Sequence, residues 1–399
     1  MLNKKTKKHK IGVFGGTFNP PHIGHVQAAE YAIGQLNLDK LIIIPTGNPP
    51  HKKLPENSPS AKLRLKMAQI VFKHLHNTIV SDMEIIKQKE SYTVNTIAQI
   101  HNEYPDSVIY LLMGSDMYLS LDSWKEPDKL LSLVVPTVFS RKQNDSIAVR
   151  DYSFKLKNKY GVDTEFISNQ IIDISSSQLR ELLPKRFGYE FISDNCYSFI
   201  IKNNLYNAKS NLNWLRSKAY LLLNPNRIEH TQGCEESAIS LAVKWGVDSD
   251  EASEAAILHD ITKGFSSPQH MEIFDYNGVL VDIMGINEVK LLHSKSGAVV
   301  AKAEFSVSDS VCEAIKWHTT GRCGMTTLDK IIYLADYIEP TRDFSGVDEL
   351  RKAAFENLDN AMIIGLEMTI SDLESRNIIP NKLSLDTLSD LKEGLDNGR

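Results

Sequence analysis

Nowhere does the chain carry an apolar run approaching the roughly 18 residues of a membrane-crossing helix, so no membrane span is expected. Its 4 cysteines, Cys196, Cys234, Cys312 and Cys323, form no C-x-x-C pair. That excludes a cysteine-rich zinc scaffold and fits a reducing, cytoplasmic setting, with each thiol read as a small buried or half-buried residue. Positive charge is not in excess either: the net charge is -5, and no basic-aromatic surface pattern appears. A nucleic-acid or anionic-membrane partner is therefore not expected. The lysines at 4, 5, 7, 8 and 10 read as a solvated start, and Ile11 to Phe14 is too short for the apolar core of a secretory signal. What remains is an ordinary globular mixture, 42% hydrophobic and 24% charged, in 399 residues, long enough for about two to three domains.

The first half is organised around Ile11 to His25. Ile11 to Phe14 read as a short buried strand, Gly15-Gly16 as a tight turn, and Val26 to Leu36 as a helix with His22 and His25 at or just before its first turn. Backbone N–H groups at a helix start and two imidazoles three positions apart can all face a phosphate chain. Further strands are expected at Leu41 to Pro45, Thr78 to Val80, Val108 to Met113 and Leu133 to Phe139, with helices at Lys62 to His76 and Thr93 to His101. The alternation predicts an α/β doubly wound parallel sheet, whose ligands bind beyond the carboxyl ends of the strands. His51-Lys52, Gly114-Ser115-Asp116 and Arg141 fall at those ends. His51 and Lys52 also fit a solvated loop, Asp116 a helix cap, and Trp124 a core, pocket-wall or interface position. Ser175-Ser176-Ser177 opens another helix, which a capping run explains; Arg180 in its first turns opposes the helix dipole unless an anion lies there.

Gly15 to His25 and Ile174 to Arg180 together resemble the HxGH and ISSTxxR signatures of nucleotidylyltransferases. Gly47 to Lys52, Ser91 to Thr96, Gly114-Ser115-Asp116 and Trp124 narrow the resemblance to bacterial nicotinate-nucleotide adenylyltransferases over about residues 10–206. Ser177 stands where that family usually has threonine, and Asn95 where it has aspartate. The resemblance implies a Rossmann-like domain that transfers an adenylyl group from ATP to nicotinate mononucleotide. Gly15, Gly16, Thr17, Phe18, His22, His25, Gly114, Asp116, Ser176, Ser177 and Arg180 would bind ATP. His51, Lys52, Thr93, Asn95, Trp124 and Arg141 would surround the second substrate, with Trp124 stacked on the pyridine ring. His22, His25, Lys52 and Arg180 would take part in catalysis, and Mg²⁺ would bridge ATP oxygens with few or no protein ligands.

Strand alternation stops near residues 207–212. Leu212 to Leu223, Cys234 to Trp245, Glu251 to Ile261, Gly297 to Phe305, Ser310 to His318, Thr327 to Ile338, Asp348 to Leu358 and Ala361 to Arg376 carry helical spacing. Thr326 with Asp329 predicts a cap. An all-α domain is expected over 212–375, followed by 376–399 as a polar tail or a last docking helix. His259-Asp260 puts charge into the apolar helical stretch Ala255 to Ile261, a difficulty that metal ligation removes. With His230, His293, His318 and Asp336 it offers six ligands for two ions about 3.5–4 Å apart sharing Asp260. Such donors suit Fe, Mn, Co or Zn, and a metal pair of this kind activates hydroxide for attack on phosphorus.

His259-Asp260-Ile261-Thr262-Lys263 with the other ligands resembles the HD superfamily. Arg227 to His230, Leu292 to Gly297, His318 to Gly321 and Ala335 to Pro340 narrow this to the bacterial HD-type symmetrical bis(5'-nucleosyl)-tetraphosphatases. That resemblance implies a diiron centre splitting diadenosine tetraphosphate into two ADP. It places Asp260 and Lys263 in catalysis and Thr319, Arg322, Arg342 and Asp343 around the nucleotide. Two other functions fit the same residues: another adenylyltransferase of the superfamily, such as a phosphopantetheine-type enzyme, and an HD domain that hydrolyses other nucleotides or only senses them. Composition leaves open whether the chain forms a homo-oligomer.

Overall fold

The computed structural model describes residues 8–47, 54–86, 92–139, 145–168, 170, 172–280 and 289–396. The chain divides into two compact units, Met1–Ala208 and Lys209–Arg399.

Unit 1 opens with β1 (His9–Gly16), α1 (Ile23–Leu36), β2 (Lys40–Pro45), α2 (Ala61–Phe72) and β3 (Thr78–Val80). It continues through α3 (Met83–Ile86), α4 (Thr93–Glu103), β4 (Ser107–Gly114), α5 (Ser115–Tyr118), α6 (Pro127–Leu133) and β5 (Val135–Phe139). It ends with α7 (Asp145–Tyr160), β6 (Glu165–Ile167), α8 (Ser176–Leu182) and α9 (Asp194–Lys202). All strand pairs are parallel, in the order β3-β2-β1-β4-β5-β6. Leu41 to Ile44 are buried throughout, as a central strand covered on both faces requires. One core gathers β1, β2 and β4 with the inner faces of α4, α6 and α7. The strand expected over 133–139 begins at Val135, because Pro127 starts α6 and Leu130 and Leu131 bury its inner face. Helix α7 and the edge strand β6 are additions to the expected elements.

Unit 2 is helical among its described residues. Its first helices are α10 (Leu212–Leu222), α11 (Ile228–Trp245), α12 (Ser249–Leu258), α13 (Ser267–Tyr276) and α14 (Leu292–Phe305). They are followed by α15 (Asp309–Trp317), α16 (Thr327–Ile338), α17 (Val347–Glu356), α18 (Leu358–Ser375) and α19 (Lys382–Asp396). Helix α11 packs on α12 and α16, α14 on α15, and α18 on α16, α17 and α19. The Thr326 hydroxyl accepts from Asp329 N–H while the Asp329 carboxylate accepts from Thr326 N–H, the reciprocal cap expected of α16. Of the cysteines, Cys196 and Cys234 are buried and Cys312 half-buried, but Cys323 is exposed, because the turn after α15 leaves it at the surface.

No helix of the described residues is long and apolar enough to cross a membrane.

Candidate functional site

Strand order reverses between β1 and β4, so their carboxyl ends, Gly15-Gly16 and Gly114, border the crevice where a doubly wound sheet binds ligands. A cavity of about 1820 Å³ opens there. Its wall takes in Gly15, Gly16, Thr17, His22 and His25 from the first turn, Gly114 and Asp116 from the fourth strand's end, and Thr93 and Trp124. Ser176, Ser177 and Arg180 complete it.

His22 is the N-cap of α1, and its backbone N–H donates to His25 Nδ1 at 3.2 Å. A ring nitrogen that accepts a hydrogen bond carries no proton, so neutral His25 holds its proton on Nε2 and is a donor there. The two rings lie 3.8 Å apart. Ser175 caps α8, Ser176 Oγ donates to the Pro20 carbonyl at 2.8 Å, and Arg180 donates to the Asn19 carbonyl at 2.6 Å and to Ser177 Oγ at 2.9 Å. Helix α8 is thereby fastened to the loop after β1.

Two expected contributors stand elsewhere. Phe18 is 1% exposed and packs edge-on against Phe14 and Phe72, so its ring fills the core and lies outside the cavity wall. Asn95 is exposed: α4 turns Thr93, Val94, Thr96 and Ile97 to the cavity, and the helical period carries residue 95 off that face. His51, Lys52 and Arg141 lie outside the described residues. Sequence reasoning missed Arg64, which is 1% exposed and donates to the Thr17 carbonyl at 2.8 Å and the Gly47 carbonyl at 3.0 Å, tying the loops after β1 and β2 together. Its signal was a lone charge on the apolar stripe of Met67, Ala68 and Val71.

In unit 2 the predicted ligands converge from helix ends. His230 and His293 lie in the first turns of α11 and α14, His318 is the C-cap of α15, and Asp336 lies in the last turn of α16. His259-Asp260 was expected inside a helix; α12 instead stops at Leu258. The chain tightens there into turns, with Ile261 N–H donating to the Leu258 carbonyl and Lys263 N–H to the Asp260 carbonyl, and both side chains project from this corner.

The Asp260 carboxylate lies 3.2 Å from His293 Nε2, 3.3 Å from His259 Nε2, 3.7 Å from His318 Nε2 and 3.9 Å from His230 Nε2. Lys263 Nζ, at 3.0 Å, and Arg227 also pair with it. Asp336 Oδ1 lies 3.1 Å from His230 Nε2 and 2.7 Å from Arg342. Burial pushes both carboxyls up; His259 and the surrounding imidazoles for Asp260, and the bond from His230 for Asp336, outweigh it and hold them well below the usual range. His259, His293 and His318 tie Nδ1 to the carbonyls of Ala256, Lys290 and Ile315 at 2.6–2.7 Å. Their Nε2 atoms are thus turned inward, where each can exchange the proton it shares with the carboxylates for a metal ion, the orientation metal ligands take.

Two sets of ligand atoms, from His230, Cys234, His259 and Asp336 and from His259, Asp260 and His318, are each close enough to hold one ion. His259 Nε2 and Asp260 Oδ1 are buried without a hydrogen-bond partner. Leaving such atoms unsatisfied is costly, and a cation between them removes the cost, so these donors fit a metal pair. Sequence reasoning missed Cys234, whose Sγ is 3.4 Å from His230 Nε2 one helical turn away, and Glu339, whose Oε1 is 3.0 Å from His230 Nδ1. The i, i+4 and i, i+3 spacings to His230 and Asp336 were their signals.

The expected nucleotide contacts are dispersed. Arg342 touches the cluster, Thr319 bonds to Ser294 Oγ at 3.4 Å, and Asp343 is exposed. Arg322 is engaged by Asp329 at 2.9 Å and Glu313 at 3.1 Å.

Residues 13–182 match the cytidylyltransferase-like family, and residues 227–341 match the HD domain family. A Mycoplasma genitalium protein named as a probable nicotinate-nucleotide adenylyltransferase/Ap4A hydrolase is 30% identical, over 90% of this chain and 97% of its own length. A probable nicotinate-nucleotide adenylyltransferase of Borreliella afzelii is 34% identical over 51% of this chain and 100% of its own. Among solved structures, a Clostridium acetobutylicum predicted HD superfamily hydrolase involved in NAD metabolism is 32% identical, covering 47% of this chain and 99% of its own with a TM-score of 0.45. Plasmodium falciparum nicotinic acid mononucleotide adenylyltransferase is 19% identical, covering 50% and 98% with a TM-score of 0.41.

Proposed function

This chain belongs to the family that joins a cytidylyltransferase-like domain to an HD domain, and from that premise we propose a bifunctional enzyme. Unit 1 transfers the adenylyl group of ATP to nicotinate mononucleotide, giving deamido-NAD and pyrophosphate. Unit 2 hydrolyses diadenosine tetraphosphate symmetrically to two ADP.

The observation that carries the first activity is the convergence of His22, His25, Ser176, Ser177 and Arg180 on the wall of the switch-point cavity, where the bond from His22 N–H to His25 Nδ1 leaves Nε2 as the donor of the neutral ring. A phosphate oxygen of the mononucleotide attacks the α-phosphorus of ATP, and pyrophosphate leaves. His25 and His22 donate to the phosphate chain where negative charge grows, and Ser176, Ser177 and Arg180 hold the β- and γ-phosphates. Asp116 orients the ribose and Trp124 stacks on the pyridine ring, with Thr93 beside it; Lys52 and Arg141, outside the described residues, are assigned to the phosphates on the family resemblance alone. Mg²⁺ bound to ATP would supply countercharge to its phosphate oxygens. Since a preorganised donor of this kind is worth about 10²–10³ in rate, His25→Ala is expected to slow pyrophosphate release by about that factor; near-wild-type turnover would overturn the assignment.

In unit 2 the unsatisfied buried atoms of His259 and Asp260 support a metal centre. His230, His259, Asp260, His293, His318 and Asp336 would hold two ions, which we assign as iron, with Mn, Co or Zn as substitutes. When bound, the ions would supply Lewis acidity to activate water and offset phosphate charge. Lys263 and Arg342 orient the polyphosphate, with Thr319, Arg322 and Asp343 toward the nucleoside. Anaerobic purification followed by metal analysis and a product assay is expected to give about two irons per chain, the stoichiometry of a two-metal site, and ADP alone. A mixture of AMP and ATP would overturn symmetrical cleavage, and a metal-free protein would overturn the ligand set.

A further inference from the structure

Three of the four clustered histidines tie Nδ1 to main-chain carbonyls, but His230 ties it to a carboxylate, Glu339 Oε1 at 3.0 Å. Glu339 is 0% exposed and follows α16 as its C-cap, three residues after Asp336. Its two oxygens accept from Thr341 N–H at 2.6 Å and Thr341 Oγ1 at 2.5 Å, and Arg342 Nε lies 3.6 Å away. The carboxylate is therefore held on several sides, and it cannot swing away from His230 without breaking these bonds.

Facing it from α11 is Gly233, one turn after His230. A glycine inside a helix is destabilising relative to alanine. Here a Cβ would stand 2.7 Å from Glu339 Oε2 and 3.0 Å from Pro340 Cδ, so the absent side chain leaves the volume the carboxylate occupies.

We infer that Glu339 is a positioning residue for the metal centre, and that Gly233 makes its position accessible. By accepting the Nδ1 proton it fixes His230 with its Nε2 lone pair toward Asp336 and Asp260, and its negative charge makes that imidazole a stronger donor than the three tied to neutral carbonyls. The ion on the His230 and Asp336 side is consequently bound more tightly than its neighbour. This rests on the reading of the cluster as a metal site.

The test is a calorimetric titration of the full-length, chelator-stripped protein with Zn²⁺ alone, for wild type, Glu339→Gln and Gly233→Ala, with the metal-free melting temperature of each measured alongside. Loss of an outer partner of this type weakens metal binding about 10–100-fold. Glu339→Gln is expected to weaken the tighter site by that factor while the second site keeps its affinity. Gly233→Ala, which leaves every ligand and the carboxylate in the chain, is expected to weaken the same site. In histidine ¹⁵N spectra of the zinc-loaded protein, the Nδ1–H signal of His230 should move in Glu339→Gln while those bonded to carbonyls stay. Wild-type affinity at both sites in Glu339→Gln overturns the inference, as does wild-type affinity in Gly233→Ala if Glu339→Gln fails to fold. Equal weakening of both sites in step with a lowered melting temperature also overturns it, since that marks a structural role. A wild-type protein that takes up no Zn²⁺ overturns the metal reading itself, a separate failure.

Discussion

A buried histidine outside both sites sets part of the acid limit of unit 2. His270 is 2% exposed, and its Nδ1 bonds to Ser296 Oγ at 2.8 Å; that hydroxyl also meets Thr262, which donates to the His293 carbonyl. Burial, reinforced by His293, lowers its pKa below the ordinary 6.5. The unfolded chain therefore takes up the proton first. Stability contributed by neutral His270 is complete above about pH 6.5, the ordinary histidine value, and is lost as pH falls from there toward the folded pKa. Denaturant midpoints measured across this window should fall with acid in the wild type and fall less steeply in His270→Gln. Single residues also mark where the sequence stopped being legible. His22, His25 and the metal-type ligands could be read because charge or imidazole beside glycine turns and apolar stretches has few structural uses. Phe18 could not: an aromatic beside a phosphate-type turn looks the same whether its ring lines a pocket or, at φ 46°, turns into the core. Arg64 and Glu339 left local signals, a charge on an apolar stripe and a spacing to Asp336, but the partners they bond, Thr17 and Gly47 for one and His230 for the other, are distant in sequence, and no local pattern names them.

Among the elements, α11 gives a clean test of backbone conformation. Gly246 ends it with φ +70, and a Cβ there would meet nothing within 4 Å. Gly246→Ala should therefore cost about 1 kcal/mol through left-handed strain alone. A thermal melt should register it, while both proposed activities stay unchanged. Thr326→Ala removes the side-chain half of the α16 cap and is expected to cost about 1 kcal/mol, measurable as a lower denaturant midpoint. The elements that escaped sequence reading have identifiable reasons. Helix α7 buries Val149, Tyr152 and Leu156 on one face but leaves Ile147 and Phe154 exposed on others, which blurs its stripe. Helix α13 carries a legible start, with Ser266 and Gln269 forming a reciprocal cap around Pro268, but only His270 and Phe274 are buried along it.

For the whole molecule, the change from alternating strands and helices to helices alone was legible because the hydrophobic period itself changes. The strand order β3-β2-β1-β4-β5-β6 was not, since parallel pairing joins segments far apart in sequence. If the two activities reside in separate units, metal removal separates them. Chelation followed by Mg²⁺ alone should restore pyrophosphate release from ATP and leave diadenosine tetraphosphate hydrolysis lost until iron, manganese, cobalt or zinc is returned. Recovery of both activities with Mg²⁺ would contradict that division.

The carbonyl anchors on His259, His293 and His318, and the neutralisation of Asp260 by Arg227 and Lys263, bear on assembly as well as chemistry. Rings already held by their own main chain have little rotational freedom left to lose, and Arg227 and Lys263 engage only Asp260 Oδ2, so the unsatisfied cost that remains lies with Oδ1 and His259 Nε2. If the cluster holds metal as proposed, the ion meets a geometry set in advance, and binding it costs little further ordering of side chains.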